Sequence, residues 1–436
     1  MIGRLVLGAG AAAVALSAGA AEFGQSVRLG ATYSDNALRN SSGNEISSGT
    51  VFLGVQAVNA RTEGRLRYDL SADLAYYEYL NVDVDQNLQG RMTAQGTYDF
   101  VPDTFSWNAG FEYDQIRDDL TAAVTANNLE GIERFWTGPT LHARLSQKMQ
   151  GMLSAYYAAI NYGDRNTDNH TVGGRLEITR QSSPTLSIGP GFSYDHTSYP
   201  TDPQLGATDF DRQEAFLRVD YRGQRTSLGM DLGYAWLKSG DAQDDNPLLR
   251  ASFSRRLTPT LQLTLQAVRE FSITDGYGYG MQPYSAGGLQ DNSILTGGAR
   301  ITTRVDLGLH YERARTAWEL AWSKRKEDTG ETGASTRHYN ELRGRLTRRM
   351  TPSLTGALYA VWSDEDVSDS TSNFTANESY YGANLDYAFG RTLWLSAWIE
   401  GRDRQHSGSF SEFNGGLSLN YGKRHAGSYS GPTLHQ

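Results

Sequence analysis

The fold of this chain is decided by a stretch in which apolar and polar residues alternate strictly. Residues 66–76 read LRYDLSADLAY, so every second residue from Leu66 to Tyr76 is apolar or aromatic. The places between them hold mostly arginine, aspartate and serine. Because successive side chains of a strand point to opposite faces, this stretch predicts a strand with one apolar face and one polar face.

The same alternation recurs to the end of the chain. It returns in residues 88–100, 105–114, 186–194, 215–221, 228–236, 261–271, 305–311, 354–362 and 413–421. A soluble β-sandwich would alternate too, but its strands average about 5–6 residues. These runs are nearer to roughly 10–14 residues, which suits tilted strands that cross a bilayer. No helical period appears in the mature chain, and such strands must close on themselves or leave edges exposed. We therefore predict an all-β fold, a transmembrane antiparallel up-and-down β-barrel.

The connections between the runs alternate in length. The short ones contain Pro, Gly, Arg or Thr and lie at 101–104, 182–185, 223–226, 258–260, 351–353 and 390–392. The long polar ones lie at 34–49, 119–132, 163–170, 197–211, 239–247, 273–294, 326–337 and 364–378. Outer-membrane barrels have short periplasmic turns and long outer loops, so one strand on each side of every turn gives about 20 strands, with about 18 as the alternative.

The first residues have the pattern of a secretory signal peptide. Arg4 supplies a positive charge, residues 5–16 are apolar, and residues 18–20 read AGA, a small-residue cleavage pattern. An uncleaved anchor is the alternative, and the shortness of the apolar run disfavours it. We expect the protein in the cell outer membrane, with three parts: a signal peptide at 1–21, the barrel at 22–421 and a periplasmic C-terminal tail at 422–436.

Composition excludes several classes of function. The formal net charge is -9, which argues against a nucleic-acid partner because no basic face is available to neutralise phosphates. The chain has no cysteine, so it has neither a disulfide framework nor a thiolate metal site. The 47 glycines and 25 tyrosines against only 11 prolines are typical of strands with aromatic anchors.

The polar faces of the strands should line the lumen. The candidate lumen-lining residues are Arg65, Arg67, Asp69, Asp73, Arg91, Glu112, Asp114, Arg144, Arg218 and Glu270. Opposed rows of arginine and carboxylate can set a transverse field and select solutes. The same residues can equally form cross-strand pairs that merely hold the wall, and the sequence leaves both interpretations open.

The longest predicted loop, 273–294, is the candidate constriction. Its glycines would let it bend into the lumen, where Tyr277, Tyr279 and Tyr284 could stack on sugar rings. The alternative is a loop on the outer surface, where most loops lie. Three acidic stretches, beginning at Asp164, Asp241 and Asp364, lack the glycine and distal glutamate of a calcium loop, so we interpret them as solvated loops. No metal and no cofactor is predicted.

An enzyme within the barrel wall is the least favoured alternative. Six histidines are scattered over different predicted strands and loops, namely His142, His170, His196, His310, His338 and His406. None lies in a recognisable motif with a serine or a pair of carboxylates, and a nucleophile needs a base within hydrogen-bond reach. We therefore predict no enzymatic activity and no catalytic residues.

The start of the mature chain resembles a known family. The first predicted strand reads VRLGATYSDN over 27–36, and the turns 256–261 and 349–354 share the pattern R-x-T-P-x-L. In these features, in size and in its signal peptide, the chain resembles the β-barrel porin type 2 proteins, outer-membrane barrels associated with exopolysaccharide and exosortase systems. The resemblance implies a porin-like pore or a role in the export of surface polysaccharide.

We therefore expect an outer-membrane channel, porin-like, for surface exopolysaccharide or sugar-like solutes. A general diffusion porin and a non-conducting surface-binding barrel are the alternatives. The expected partners are outer-membrane lipid and lipopolysaccharide, polysaccharide or small solutes, and periplasmic export proteins, with no nucleic acid among them.

Overall fold

The computed structural model describes residues 22–84, 87–117, 125–163, 168–199, 209–273, 299–328, 336–368, 373–406 and 408–423. The strands are β1 (Glu22–Ser34), β2 (Ser48–Arg61), β3 (Leu66–Tyr79), β4 (Leu88–Val101), β5 (Phe105–Arg117), β6 (Leu129–Arg144), β7 (Met149–Tyr162), β8 (Asn169–Ser183), β9 (Leu186–Ser198), β10 (Phe210–Arg222), β11 (Thr226–Ser239), β12 (Ala242–Thr258), β13 (Leu261–Ile273), β14 (Ala299–Arg313), β15 (Thr316–Asp328), β16 (Thr336–Arg349), β17 (Leu354–Ser368), β18 (Asn373–Ala388), β19 (Leu393–His406) and β20 (Phe410–Gly422). A 3-10 turn, Ala126–Asn128, precedes β6.

These strands form one closed antiparallel sheet. Each strand pairs with its neighbours in sequence, and β1 pairs with β20, where Ser26 lies opposite Gly422 and Ser34 opposite Asn414. The predicted all-β up-and-down barrel is confirmed, and its strand count is the even 20. Among the described residues, no helix is long and apolar enough to span a membrane.

The two faces of the wall have opposite chemistry. On β1 the side chain of Leu29 is 57% exposed, whereas that of its neighbour Arg28 is 2% exposed. On β20 Leu417 is 56% exposed and its neighbour Ser418 is 1% exposed. Exposed leucines outside and buried polar groups inside are the reverse of a soluble protein, because lipid covers the outer face. The chain is therefore a transmembrane barrel of the outer membrane.

Glycines let large rings lie flat against the inner wall. A side chain at Gly30 would overlap the ring of Phe52, and one at Gly110 would overlap the indole of Trp136. Trp398 covers Gly416 in the same way. The close approach of a ring to the backbone requires glycine at these positions, which accounts for part of the high glycine content.

The motif that carries the family resemblance fastens the seam between the first and last strands. Asp35 exchanges two hydrogen bonds with Phe413, through its backbone amide (3.1 Å) and its side chain (2.7 Å). Asn36 is fully buried and donates to the carbonyl of Ser411 at 3.0 Å. In the following loop, burial lowers the pKa of Arg39, but the Glu412 carboxylate 2.7 Å away, together with Glu378 and Tyr79, outweighs burial, so the pKa is raised. These contacts tie the first loop to β20.

Several predicted loop boundaries are wrong. Residues 239–247 were expected to form a long loop, but only Gly240 and Asp241 connect β11 to β12, with Gly240 at a φ of 57°. The strands also extend into both ends of 326–337, since β15 ends at Asp328 and β16 begins at Thr336, and they continue through most of 364–378. The reason is physical: beyond the lipid both faces of a strand are polar, so alternation ends before backbone pairing does. The signal peptide, most of the tail and most of loop 273–294 lie outside the described residues.

Candidate lumen site

The structure places most of the predicted lumen residues on the buried-polar face of their strands. Arg67, Asp69 and Asp73 share this inner face on β3, and the others are Arg91 on β4, Glu112 and Asp114 on β5, Arg144 at the end of β6, Arg218 on β10 and Glu270 on β13. Arg65 does not lie on the wall, because it belongs to the β2–β3 turn at the rim. The candidate constriction residues Tyr277, Tyr279 and Tyr284 lie outside the described residues.

The half of the lumen nearest the long loops is lined by a dense network of ion pairs. The first part of this network lies on β8–β13, and its central residue is Glu214, which is 0% exposed. Arg250 holds both oxygens of Glu214, at 2.7 and 3.0 Å, and also contacts Glu270 at 2.5 Å. Ser193 donates to Glu214 at 3.0 Å. One guanidinium thus neutralises two buried carboxylates on strands that are not its own.

A second part of the network lies on β14–β17. Glu327 on β15 contacts Arg300 at 3.1 Å, Arg325 at 3.3 Å and Arg337 at 3.6 Å. Arg337 in turn contacts Glu365 at 2.7 Å. Sequence reasoning missed this part, because it assigned residues 326–337 to a loop, and the even spacing of Arg325 and Glu327 was the signal that could have placed them on a strand.

A third part combines carboxylates with aromatic rings on β17–β3. Tyr359 and Tyr380 both donate to Glu400 at 2.5 Å, and the guanidinium of Arg402 lies 4.9 Å from the ring centroid of Tyr380. On the other side of the seam, Arg28 on β1 forms an ion pair with Asp73 on β3, one of the predicted residues. Nearby, the buried rings of Phe52, Tyr77 and Trp398 form an aromatic cluster.

The half of the lumen nearest the short turns contains a recess on β3–β6, which we call the turn-side recess. It has a volume of about 510 Å³, and its lining includes Arg67, Asp69, Gln95, Thr97, Asn108 and Trp136. This volume falls within the range of small-molecule sites, about 300–1,000 Å³. Two of the predicted lumen residues, Arg67 and Asp69, therefore belong to a concave site.

Strand register builds the recess from two adjacent rows. One row runs through Asp69, Gln95, Gly110 and Trp136, which pair in turn across β3, β4, β5 and β6. Because Gly110 has no side chain, the indole of Trp136 lies over it and forms one wall of the recess.

The second row carries the hydrogen-bonding groups. Thr97 donates to Asn108 at 2.8 Å, and Asn108 donates to Thr140 at 3.0 Å. Arg67 is 46% exposed and forms an ion pair with Asp99 at 2.9 Å, which orients its guanidinium while leaving part of it accessible. The recess therefore offers donors and acceptors in fixed positions beside one aromatic face. Sequence reasoning missed Trp136, although it has the same parity along β6 as Arg134 and Thr140.

One of the described histidines lies beside a serine. His170 and Ser198 are within 2.8 Å of each other, a pair that the sequence did not reveal. Both side chains lie on the outer face of the wall, and no described carboxylate is hydrogen-bonded to His170 to orient its ring. A serine nucleophile uses such a third group. The described residues also contain no group of three or more His, Asp or Glu that could hold a metal ion.

The closed wall and its charged interior define an outer-membrane β-barrel protein. No family model and no curated protein sequence matches the chain. Among solved structures, the siderophore receptor PirA from Acinetobacter baumannii is 10% identical, with a TM-score of 0.49 over 92% of this chain and 80% of that one. The FrpB iron transporter from Neisseria meningitidis is 11% identical, with a TM-score of 0.48 over 92% and 81%.

A mutant of the ferric enterobactin receptor PfeA from Pseudomonas aeruginosa is also similar, at 10% identity and a TM-score of 0.47 over 92% of this chain and 80% of that one. These similarities are too distant to carry an argument about what this barrel transports or binds.

Proposed function

We propose that the protein is an outer-membrane channel for sugar-like solutes, and that the turn-side recess contacts them on their way through the lumen. The observation that carries this proposal is the pairing of one indole face with fixed polar groups. Sugar rings present apolar C–H faces that pack on aromatic rings, and hydroxyls that exchange hydrogen bonds with amide, carboxylate and guanidinium groups. Trp136, Gln95, Asn108, Asp69 and Arg67 supply both kinds of contact within one recess.

The distribution of charge along the lumen supports passage of uncharged solutes. Near the loops, arginines and carboxylates neutralise each other within the wall, as Arg250 does with Glu214 and Glu270. Paired charges select weakly for ionic charge, whereas an unopposed ring of one sign would select strongly. A neutral polar solute therefore meets no large electrostatic barrier in this half of the lumen.

The polysaccharide version of the proposal rests on the resemblance of the first strand and the R-x-T-P-x-L turns to the β-barrel porin type 2 proteins. In that version the solute is a surface exopolysaccharide chain, supplied by periplasmic export proteins. A recess that binds one or two sugar units weakly suits a moving chain, because strong binding at a single site would stop conduction.

The test is conductance of the purified full chain in planar bilayers, with maltohexaose as the probe. We expect ion current that maltohexaose blocks reversibly. Trp136→Ala should raise the concentration for half-block by roughly three- to tenfold, because one aromatic contact contributes about 0.5–1.5 kcal/mol.

The matched control is Trp107→Ala. Trp107 lies on β5 with its ring on the outer face, where it is 42% exposed and donates to Thr137 at 2.7 Å. The Trp107→Ala variant should therefore show the same concentration for half-block by maltohexaose as the wild type. Ion current that maltohexaose does not block would favour a general diffusion porin. The absence of current from a correctly folded protein would favour a non-conducting surface-binding barrel.

A further inference from the structure

The exposed charges at the turn end of the barrel are strongly one-sided. Every short turn from β6 to β17 carries or adjoins exposed arginine or lysine, as at Lys148, Arg225 and Arg315. Exposed carboxylates at this end are few, with Asp103 and Glu312 as examples. An overall negative chain therefore has a cationic rim on its periplasmic side, which is the side of the short turns.

Three of these arginines point away from the lumen. Arg180 has the same parity along β8 as the exposed Leu176, and Arg348 has the same parity along β16 as the exposed Leu346. Arg255 likewise continues the outer face of β12, next to Leu257 on that face. All three arginines are exposed, and none forms an ion pair with a described residue.

The depth of Arg348 is indicated by neighbouring aromatic rings. Trp318 pairs with Leu346, one step along the outer face from Arg348, and it stacks on Tyr311 with ring centroids 5.7 Å apart. Farther round the barrel, exposed Tyr387 lies near the end of β18 and exposed Phe389 in the turn that follows it. Such rings mark the boundary between acyl chains and headgroups. A guanidinium just beyond them lies at the level of lipid phosphates, which it reaches while its aliphatic stem covers apolar surface.

From this geometry we propose that Arg180, Arg255 and Arg348 form a binding surface for the phosphate of anionic phospholipids in the periplasmic leaflet. A guanidinium binds a phosphate diester through paired N–H donors, and a net negative lipid adds attraction that a zwitterionic lipid lacks. A soluble acidic protein in the periplasm could contact the outward arginines and those at the lumen mouth alike, whereas a lipid of the surrounding bilayer reaches only the outward ones. The outward arginines therefore favour lipid over a soluble protein as the occupant.

The chain supplies a matched control set. Arg144, Arg222 and Arg349 are also exposed at the turn end, but their parity on β6, β10 and β16 places them on the inner face. The triple variants R180Q/R255Q/R348Q and R144Q/R222Q/R349Q remove the same charge from the same end. Heat-modifiable migration in gels would show that each variant folds.

The measurement is native mass spectrometry of the detergent-solubilised full chain, titrated with dioleoyl phosphatidylglycerol or dioleoyl phosphatidylcholine. We expect the wild type to retain phosphatidylglycerol preferentially, and the outward triple variant to weaken that binding by at least about tenfold. The inward triple variant should bind as the wild type does. Equal losses in both variants, or equal retention of both lipids by the wild type, would overturn the proposal.

A second measurement covers the case in which the outward variant fails to fold. Phosphatidylglycerol binding to the wild type should fall steeply as ionic strength rises, while phosphatidylcholine binding should stay constant, because only the former depends on charge attraction. Binding of phosphatidylglycerol that is insensitive to salt would contradict a phosphate contact of this kind.

Discussion

Replacement of Arg250 by methionine tests whether the lumen network stabilises the wall. Arg250 contacts Glu270 at 2.5 Å and Glu214 at 2.7 Å, and the exposed fractions of the three side chains are 10%, 3% and 0%. Arg250→Met would remove the cation that bridges two buried carboxylates, while Arg212 would stay 3.8 Å from Glu214. Removing one partner of a buried pair costs about 3–5 kcal/mol, because a buried charge loses most of its compensation. We expect a loss of that size in the free energy of unfolding.

The assay is urea unfolding of the barrel in lipid vesicles, followed by tryptophan fluorescence. Arg67→Met is the matched control, because Arg67 is 46% exposed in its pair with Asp99, and exposed pairs contribute about 0–1 kcal/mol. The double variant Arg250→Met with Glu214→Gln should recover part of the loss, since it removes one of the two carboxylate charges that Arg250 bridges in the wild type. If Arg250→Met costs no more than Arg67→Met, water reaches the network freely and our account of it as a stabilising feature is wrong.

Three further outcomes follow from the described faces and from loop 273–294. Leu263→Arg on the outer face should cost roughly 2–4 kcal/mol of unfolding free energy if it lies near the bilayer midplane, and Thr264→Arg on the inner face far less, measured by the same urea unfolding. Gly189→Ala should cost about 1–3 kcal/mol, because its added methyl would overlap the backbone oxygen of the facing strand. Gly96→Ala should stay within about 0.5 kcal/mol, because its nearest neighbouring atom would be 3.6 Å away. Deletion of 276–288 should raise single-channel conductance in planar bilayers without preventing assembly, if this loop constricts the pore; unchanged conductance would place it on the outer surface.

Strand identity was predictable because the membrane imposes a strict pattern. A residue that faces lipid must be apolar, so the alternation of 66–76 survives in sequence and β3 spans Leu66–Tyr79. The short turns were also predictable, since proline, glycine and threonine recur where the chain reverses. These two signals were sufficient for the closed barrel, and they predicted a strand number of about 18–20.

Strand ends beyond the lipid were not predictable from the same signals. Asp244 and Asp245 look like loop residues, yet they pair with Leu237 and Trp236 across β11 and β12. Backbone hydrogen bonding continues there without any requirement on side-chain polarity. For the same reason Glu327 and Arg337 on β15 and β16 were assigned to a loop, although they belong to the lumen wall.

The pairing of charges within the lumen depends on curvature, which local sequence does not encode. Arg28 on β1 reaches Asp73 on β3, and Arg175 on β8 reaches Asp231 on β11 at 3.0 Å. Neighbouring strands lie about 4.8 Å apart, so such pairs bridge roughly 10–14 Å of wall. Side chains on a concave face converge, and the long, forked guanidinium can contact carboxylates from more than one strand. This explains why the cations of the described ion-pair networks on the inner face are all arginine, whereas lysines such as Lys326 on β15 have outward parity. Sequence could assign arginines such as Arg67 and Arg218 to the lumen, but only the closed wall determines their carboxylate partners.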